Sequence, residues 1–242
     1  MQHPNIVELE VWGPYGLFSD PLMRVGGEKN SYQIPTYEAL KGILSSVYWK
    51  PTIIWYIDMV RVMNPIQTEV KGIRPIKYND GKNDLSYYTY LKDCRYQIRA
   101  HFEWNPNRSE LAHDRNENKH HEIAKRMIVK GGKRDVFLGT RECQAYVEPC
   151  VFGEGKGYYD DIAQMHFGVM YHGITYADEA YDETTKGMMT VNLWRPVMEN
   201  GCIRFLRPEE CPIHKPIKVM SMNSFGEEFN NFSALGKNGE VT

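Results

Sequence analysis

The stretch RYQIRAHFEW, from Arg95 to Trp104, has the clearest strand pattern in the chain. Apolar and polar side chains alternate along it, so that one face is apolar and consists of Tyr96, Ile98, Ala100, Phe102 and Trp104. Alternation with a period of two predicts a β-strand that packs one face against a core. The elements on either side of this strand then decide the fold class.

The segment before this strand predicts a strand, a helix and a second strand. Residues 6–12, IVELEVW, alternate in the same way. Pro35 and Thr36 open a helix that ends before Pro51, because the apolar residues between them recur with helical spacing. The second strand is predicted at about 52–63, and the residues rich in Asn, Asp and Tyr at 77–90 are predicted to form a loop.

The segment after it predicts a helix and a fourth strand. The helix covers about 116–130, with Asp114 or Asn116 as its N-cap and Gly131 as its C-cap. The fourth strand follows at about 143–149. The resulting order, β-α-β-β-α-β, predicts the α+β class and a ferredoxin-like domain, the architecture that the RNA-recognition motif also uses. Many functions occur on this fold, so the fold alone does not decide the function.

The remainder of the chain predicts a small second unit. Glycines indicate a linker after Cys150, namely Gly153, Gly155 and Gly157. Beyond them, Asn200-Gly201 is typical of a tight hairpin turn, and strands are predicted around 166–176 and 189–197. The predicted organisation is a ferredoxin-like domain over 1–150, an antiparallel β domain over 151–220 and a flexible tail over 221–242.

Composition narrows the cellular setting. The chain has 242 residues and a formal net charge of −2, so it is not basic overall. No apolar run approaches the roughly 18–20 residues of a membrane span, and the first residues lack the apolar region of a signal peptide. The five cysteines are scattered and never in CxxC spacing, which favours reduced thiols. We therefore expect a cytoplasmic protein without a membrane partner.

Positive charge is nevertheless concentrated in one region. From Lys119 to Arg141 the chain carries seven Lys or Arg against two acids. Within this region the glycine pair Gly131-Gly132 precedes the basic pair Lys133-Arg134. Positive side chains beside exposed backbone N–H groups suit a phosphate backbone, so this region predicts nucleic-acid binding. The other glycine pair, Gly26-Gly27, is interpreted as an ordinary loop.

The candidate residues for proton transfer are His120 and His121, which follow Lys119 at the start of the second helix, and Tyr48. A neutral imidazole can act as a general base near neutral pH, but two histidines on a helix surface can equally be solvated. Tyr48 ends the first predicted helix and is either a core tyrosine or a phenol that contacts a substrate. No HExxH, DxD, P-loop or GxSxG motif is present, although Asp114 and Glu117 flank the histidines. We therefore expect no metal and no cofactor.

Several longer motifs resemble the type I-C branch of the CRISPR-associated Cas-five family. They are WGPYGLFSDPLMRVGGEKNSYQIPTYEALKGILSSVYWKPTI, RVMNPIQTEVKGIRPI, NKHHEIAKR, GGKRDVFLGTREC and VMENG, and the resemblance runs from about residue 6 to about residue 216. It implies membership of the repeat-associated mysterious protein superfamily, with a ferredoxin-like domain. It also implies an endoribonuclease that cuts the CRISPR precursor RNA at the 3′ base of each repeat hairpin without a metal ion, and that remains in the Cascade complex.

The resemblance also implies residue roles. The YWKP segment maps the catalytic tyrosine to Tyr48, and the Lys-His pair maps to Lys119 and His120. RNA contacts are expected from the basic region, at His121, Gly131, Gly132, Lys133, Arg134 and Arg141. The expected partners are the repeat RNA, with its hairpin and 5′ handle, and the other type I-C Cascade subunits. Two alternatives stay open: a non-catalytic Cascade subunit that binds the 5′ handle and, more distantly, a metal-dependent DNA nuclease.

Overall fold

A computed structural model gives the architecture. The structure describes residues 3–21, 27–76 and 81–221. Gly26, four residues of the predicted 77–90 loop and the predicted tail from 222 onward lie outside the described residues. The described chain forms two helices, α1 (Tyr37–Val47) and α2 (Glu117–Val129), and thirteen strands: β1 (Val7–Gly16), β2 (Lys29–Asn30), β3 (Ile53–Val62), β4 (Gln67–Ile73), β5 (Ser86–Trp104), β6 (Val136–Phe137), β7 (Gln144–Pro149), β8 (Met165–His166), β9 (Met170–Thr175), β10 (Met188–Trp194), β11 (Val197–Glu199), β12 (Cys202–Arg204) and β13 (Ile213–Val219).

The large sheet is built around β5. Its central strands follow the order β7-β1-β5-β3, and each neighbouring pair is antiparallel. Ala100 in β5 lies opposite Val7 of β1 on one side and Ile57 of β3 on the other. The alternation in Arg95–Trp104 therefore predicted correctly a strand with its apolar face on the core, and the structure adds that this strand is central, because both of its edges are paired.

The predicted loop over 77–90 is wrong in its second half. β5 begins at Ser86, and its tyrosine-rich first part pairs with β4, which was not predicted. Val70 of β4 lies opposite Thr89 of β5 in this extension. Aromatic and β-branched residues favour strands, so a tyrosine-rich segment between turn residues was compatible with either structure. The partner strand decided between them.

Both helices pack on the large sheet. Thr36 caps α1, since its hydroxyl accepts a hydrogen bond from the N–H of Ala39. Leu40 and Leu44 are wholly buried beneath this helix, as is Leu9 of β1. Each fully buried leucine stabilises the fold by roughly 1.5–3 kcal/mol relative to an exposed one. The core thus lies between the helices and one face of the sheet.

The end of α2 fixes the position of the glycine pair. Asn116, one of the two predicted N-caps, accepts a hydrogen bond from the N–H of Lys119. At the other end Lys130 is the C-cap, one residue before the predicted Gly131. Gly131 has φ +81, and the N–H of Gly132 donates to the carbonyl of Met127. This is a Schellman ending, in which a residue with positive φ reverses the chain direction.

The chain after residue 150 joins the first part of the molecule. β12, β11 and β8 continue the large sheet from the edge of β3, while β13, β10 and β9 form a second sheet. The Asn200-Gly201 turn has φ values of +48 and +78, as the type I′ hairpin between β11 and β12 requires. The domain division at residue 150 stays a prediction, but the large sheet crosses that point.

The predicted glycine linker is not a free connection. Arg61 of β3 donates hydrogen bonds to the carbonyls of Glu154 and Gly155. Gln97 of β5 also donates to Glu154, and its own carbonyl accepts from Gly153. Asp160 completes the contact with an ion pair to Arg61 at 2.7 Å. The glycines let this segment lie against the polar face of the sheet, opposite the helices. No helix of the described residues is long and apolar enough to cross a membrane.

Candidate active site

The structure brings Tyr48 and His120 into direct contact although they lie far apart in sequence. The phenol oxygen of Tyr48 is 2.7 Å from Nδ1 of His120. Tyr48 follows α1, where its N–H donates to Leu44 and its carbonyl accepts from the indole of Trp55. His120 lies in the first turn of α2. The two helix ends therefore meet at this hydrogen bond.

The partners of His120 decide which ring nitrogen carries the proton. Its Nε2 lies 2.8 Å from the backbone carbonyl of Asp114. A carbonyl only accepts hydrogen bonds, so Nε2 carries the hydrogen. In the neutral ring Nδ1 is then the acceptor, and the Tyr48 hydroxyl donates to it. The site consequently contains an imidazole whose free lone pair faces a phenol.

This pair is buried. His120 is 0% exposed and Tyr48 is 4% exposed, with the rings of Phe102 and Trp104 packed edge-on against the imidazole. Burial raises the pKa of Tyr48, and the negative charge of Asp114 raises it further. Tyr48 is therefore a neutral phenol at physiological pH, able to donate and accept hydrogen bonds but not to persist as a phenolate.

Lys119 supplies the charge at the surface of the site. Its ammonium lies 2.6 Å from a carboxylate oxygen of Asp114, and its side chain is half exposed. The hydrogen bond from Lys119 lowers the pKa of Asp114, against the effect of burial. Asp114 thus holds both residues of the Lys-His pair, one through its carboxylate and the other through its backbone.

His121 points elsewhere. Its Nε2 lies 2.9 Å from the carbonyl of Ile6, just before β1, and therefore donates to it. Neighbouring residues on a helix project about 100° apart, so only one of two adjacent histidines can face Tyr48. The structure brings His120 to the tyrosine and His121 to the start of β1.

The turn after α2 docks beside Tyr48. The N–H of Lys133 donates to the carbonyl of Val47, and the N–H of Arg134 donates to that of Ser46. Both basic side chains are exposed. A Cβ on Gly132 would come within 3.0 Å of the carbonyl of Arg134, and its φ of +112 suits glycine alone. The predicted Gly131-Gly132-Lys133-Arg134 segment therefore lies next to the predicted catalytic tyrosine.

Arg141 lies on the exposed turn between β6 and β7, with its guanidinium 5.9 Å from the ring of Phe137. This places it further along the same basic segment, without a contact to Tyr48 or His120 among those described.

Sequence reasoning missed the dual role of Asp114, which it treated as a possible helix cap. It also passed over Trp49 and Lys50, which directly follow Tyr48 and are exposed. The signal for Asp114 was present: an acid about one turn ahead of a Lys-His pair can reach back to both of them. The exposure of Trp49 is visible only in the structure, since the sequence does not show which side chains are covered.

Comparisons with known proteins identify the family. The family described as CRISPR-associated protein (Cas_Cas5), in its Cas5d model, matches residues 6–206. The CRISPR pre-crRNA endoribonuclease Cas5d of Mannheimia succiniciproducens is 34% identical over 165 residues, covering 59% of this chain and 71% of that protein. The protein of the same name from Thermus thermophilus is 30% identical over 153 residues, covering 59% of this chain and 63% of that protein.

A solved structure gives the same picture. The crystal structure of a CRISPR-associated protein superposes with a TM-score of 0.73 at 35% identity, over 87% of this chain and 96% of that chain. Identity and coverage at this level extend the likeness beyond the fold to most of the sequence.

Proposed function

The chain belongs to the Cas5d family of CRISPR-associated proteins, and on this premise we propose that it is a pre-crRNA endoribonuclease that works without a metal ion. Tyr48, Lys119 and His120 are its catalytic residues. The observation that carries this proposal is the 2.7 Å contact between the phenol of Tyr48 and the imidazole of His120, with the Lys119 ammonium on the preceding residue.

The reaction needs three groups. RNA carries its own nucleophile, the 2′-hydroxyl, so cleavage requires a base for that hydroxyl, a positive charge for the phosphate and a proton for the 5′-oxygen that leaves. Here the imidazole and the phenol supply the base, and the ammonium supplies the positive charge. The carboxylate that contacts them, Asp114, is engaged by Lys119. This donor set resembles a proton-transfer site more than the oxygen cage that Mg²⁺ prefers.

The burial of His120 supports a relay. Because the imidazole is wholly covered, the 2′-hydroxyl meets Tyr48 first. As the 2′-oxygen bonds to phosphorus, its proton passes to the phenol oxygen, and the phenol proton passes to Nδ1 of His120. The P–O5′ bond breaks and the 5′-oxygen takes a proton from water. The hydroxide left behind is neutralised when His120 returns its extra proton through Tyr48, which restores the starting state. Tyr48 never holds a full charge, which agrees with its raised pKa.

Lys119 stabilises the phosphate during this step. Its half-exposed ammonium reaches solvent, and its ion pair holds it on Asp114, whose backbone carbonyl binds His120. The products are a 2′,3′-cyclic phosphate and a 5′-hydroxyl, because the attacking oxygen belongs to the substrate.

The RNA surface is the basic segment that docks beside Tyr48. Lys133 and Arg134 bind phosphates at the base of the repeat hairpin through their side chains, and Arg141 extends the charge. The expected exposed N–H groups of Gly131 and Gly132 are not available to a phosphate, because they donate to Ile128 and Met127, so these glycines contribute only the absence of a side chain. His121 supports this surface from the other side of α2 through its bond to Ile6. Trp49, 43% exposed, offers a ring on which an unpaired base can stack.

The strand order and the cysteines support the proposed fold and cellular location. The order β7-β1-β5-β3 with α1 and α2 packed on the sheet supports a ferredoxin-like core. After cleavage the protein stays with the 5′ handle of the product RNA as a subunit of a type I-C Cascade complex. The five free cysteines support a reducing, cytoplasmic location.

Cleavage of the cognate repeat RNA in EDTA tests the function. We expect cutting at the 3′ base of the hairpin in EDTA, and no cutting when the nucleotide 5′ of the cut carries a 2′-deoxy sugar, although that RNA still binds. Cleavage of the deoxy substrate, or loss of native cleavage in EDTA, would contradict the mechanism. RNA that binds but stays uncut under every condition would instead support the non-catalytic subunit.

A further inference from the structure

A second group of chemically active side chains lies on the face of the sheet opposite the helices. His101 of β5 alternates with Phe102, which faces the core, so its ring projects to the other side. Around it lie His3, from the segment before β1, and Glu103, two residues along the same strand face. One potential ligand atom from each of these three residues lies within 4.8 Å of the others.

His101 is held like a metal ligand. It is 4% exposed, and its Nδ1 lies 2.9 and 3.0 Å from the two carboxylate oxygens of Asp58. The carboxylate only accepts, so Nδ1 carries the hydrogen and Nε2 of the neutral ring has a free lone pair. A carboxylate behind an imidazole is the arrangement that orients histidines toward metal ions.

The opposite nitrogen of His101 is unsatisfied. Nε2 is buried, makes no hydrogen bond and lies 3.5 Å from Oε1 of Glu103. A buried polar atom without a partner lowers stability, so such an atom needs an explanation. Glu103 accepts from Arg207 at 3.0 and 2.7 Å, but each carboxylate oxygen keeps a second lone pair.

We propose that His3, His101 and Glu103 bind a divalent transition metal ion of the zinc class. Two imidazoles and a carboxylate are a zinc donor set that leaves a fourth position open, whereas Mg²⁺ and Ca²⁺ select oxygen donors. The ring of His3 now stacks on His101 with centroids 3.7 Å apart. Binding turns that ring so that its nitrogen and Nε2 of His101 face one ion.

A cavity adjoins the cluster at His3. This cavity of about 700 Å³ is lined by His3 and by Asp58, together with Glu8, Arg99 and Arg204. An ion at the cluster is therefore reached from solvent without unfolding the sheet. Because His3 belongs to the segment ahead of β1, the ion also fastens this segment to β5 and stabilises the fold by mass action.

Titration of tag-free, EDTA-treated and dialysed full-length protein with Zn²⁺ tests the site. We expect one ion per chain by calorimetry, a rise in Tm on adding Zn²⁺, and a visible absorption band when Co²⁺ replaces it. His3→Ala, His101→Ala and Glu103→Gln should each weaken binding at least tenfold. His166→Ala, an exposed histidine on β8, is the matched control and should bind like the wild type.

His3→Ala is the decisive variant, because His3 precedes the first strand and its loss leaves the core intact. Equal Zn²⁺ affinity of His3→Ala and the wild type, or the absence of a stoichiometric ion in the wild type, would overturn the proposal.

Discussion

Two regions of the molecule each contain a histidine with 0% exposure, and their surroundings differ. His120 in α2 has a partner for both ring nitrogens, the phenol of Tyr48 and the carbonyl of Asp114. His172 in β9 donates from Nε2 to the carbonyl of Leu206, while its Nδ1 has no hydrogen-bond partner. The ring of His172 stacks on Tyr37 with centroids 4.2 Å apart.

The difference shows that burial alone does not make a histidine reactive. Burial is the main cause that lowers the pKa of His172 to about 4, so this ring stays neutral and fills space among aromatic side chains. His120 is equally buried, but a hydroxyl donates to its basic nitrogen, and a proton can therefore enter and leave through that hydroxyl. The hydroxyl that donates to the basic nitrogen of His120, which His172 lacks, distinguishes the two.

The largest expected effect is on cleavage. His120→Gln keeps an N–H that can reach Asp114 but removes the basic nitrogen, so repeat-RNA cleavage should fall by about 10²–10⁴-fold while RNA binding persists. Rates come from single-turnover cleavage and affinities from filter binding. The matched control variants are His121→Ala and His172→Phe, and their cleavage rates should stay within about threefold of the wild-type rate. Normal cutting by His120→Gln together with loss in His121→Ala would reverse the assignment.

The second expectation concerns coupling between Tyr48 and His120. Tyr48→Phe removes only the hydroxyl and should slow cleavage by a similar factor, because the relay is interrupted at its first member. Groups that act as one unit are strongly non-additive. The double variant should therefore be no slower than the slower single variant. If the rate losses of the two single variants instead multiply in the double variant, the two residues act independently.

The third expectation is a pH effect at His172. Its folded pKa of about 4 lies below the 6.5 of the unfolded chain, so the unfolded state binds more protons between these values. The free energy of unfolding should therefore fall as pH drops through this window, by about 2 kcal/mol at about pH 5 relative to about pH 7.5. Urea unfolding at both pH values measures it.

His172→Phe should remove this part of the pH dependence, because the phenyl ring fills the site without titrating. His166→Ala, an exposed histidine, should keep the wild-type slope. An unchanged slope in His172→Phe would assign the pH effect to other groups.

The smallest effect is expected at the basic turn. Replacing Lys133 and Arg134 with alanine should weaken RNA binding and reduce the log–log salt slope by about 0.7–0.9 for each phosphate that the protein no longer neutralises. Cleavage at saturating RNA should continue, since neither side chain moves a proton. Lys215 and Lys218, exposed on β13, form the matched control pair. Equal slopes for both double variants would place the RNA on another surface.

The contrast between the histidines also shows what local sequence can predict. Alternation located β1, β3 and the second part of β5, and helical spacing located α1 and α2, because each pattern reports which side of an element is buried. The strand at Gln67–Ile73 was not predicted, since most of its residues are exposed and it has no periodic apolar face. The glycines after Cys150 predicted a linker because nothing near them in the sequence shows that they are held. The residues that contact them, Arg61 and Gln97, lie on distant strands.

The candidate site was likewise predicted only in part. Its residue types and their basic surroundings are visible in the sequence, and resemblance selected Tyr48, Lys119 and His120. The sequence could not distinguish His120 from His121 by physical argument, because both occupy the first turn of one helix. Their partners, Tyr48 and Ile6, lie on other elements.

By itself, then, the sequence determined the helices and those strands that have a clear apolar face, together with the family and the chemical groups available, because these depend on local pattern and residue type. Only the tertiary structure decided which imidazole meets the phenol, which nitrogen carries the proton, and that Lys133 and Arg134 dock beside Tyr48. It also placed His3 and His101 together on the opposite face of the sheet. Hydrogen bonds between distant residues depend on how elements pack, and packing is a property of the whole chain.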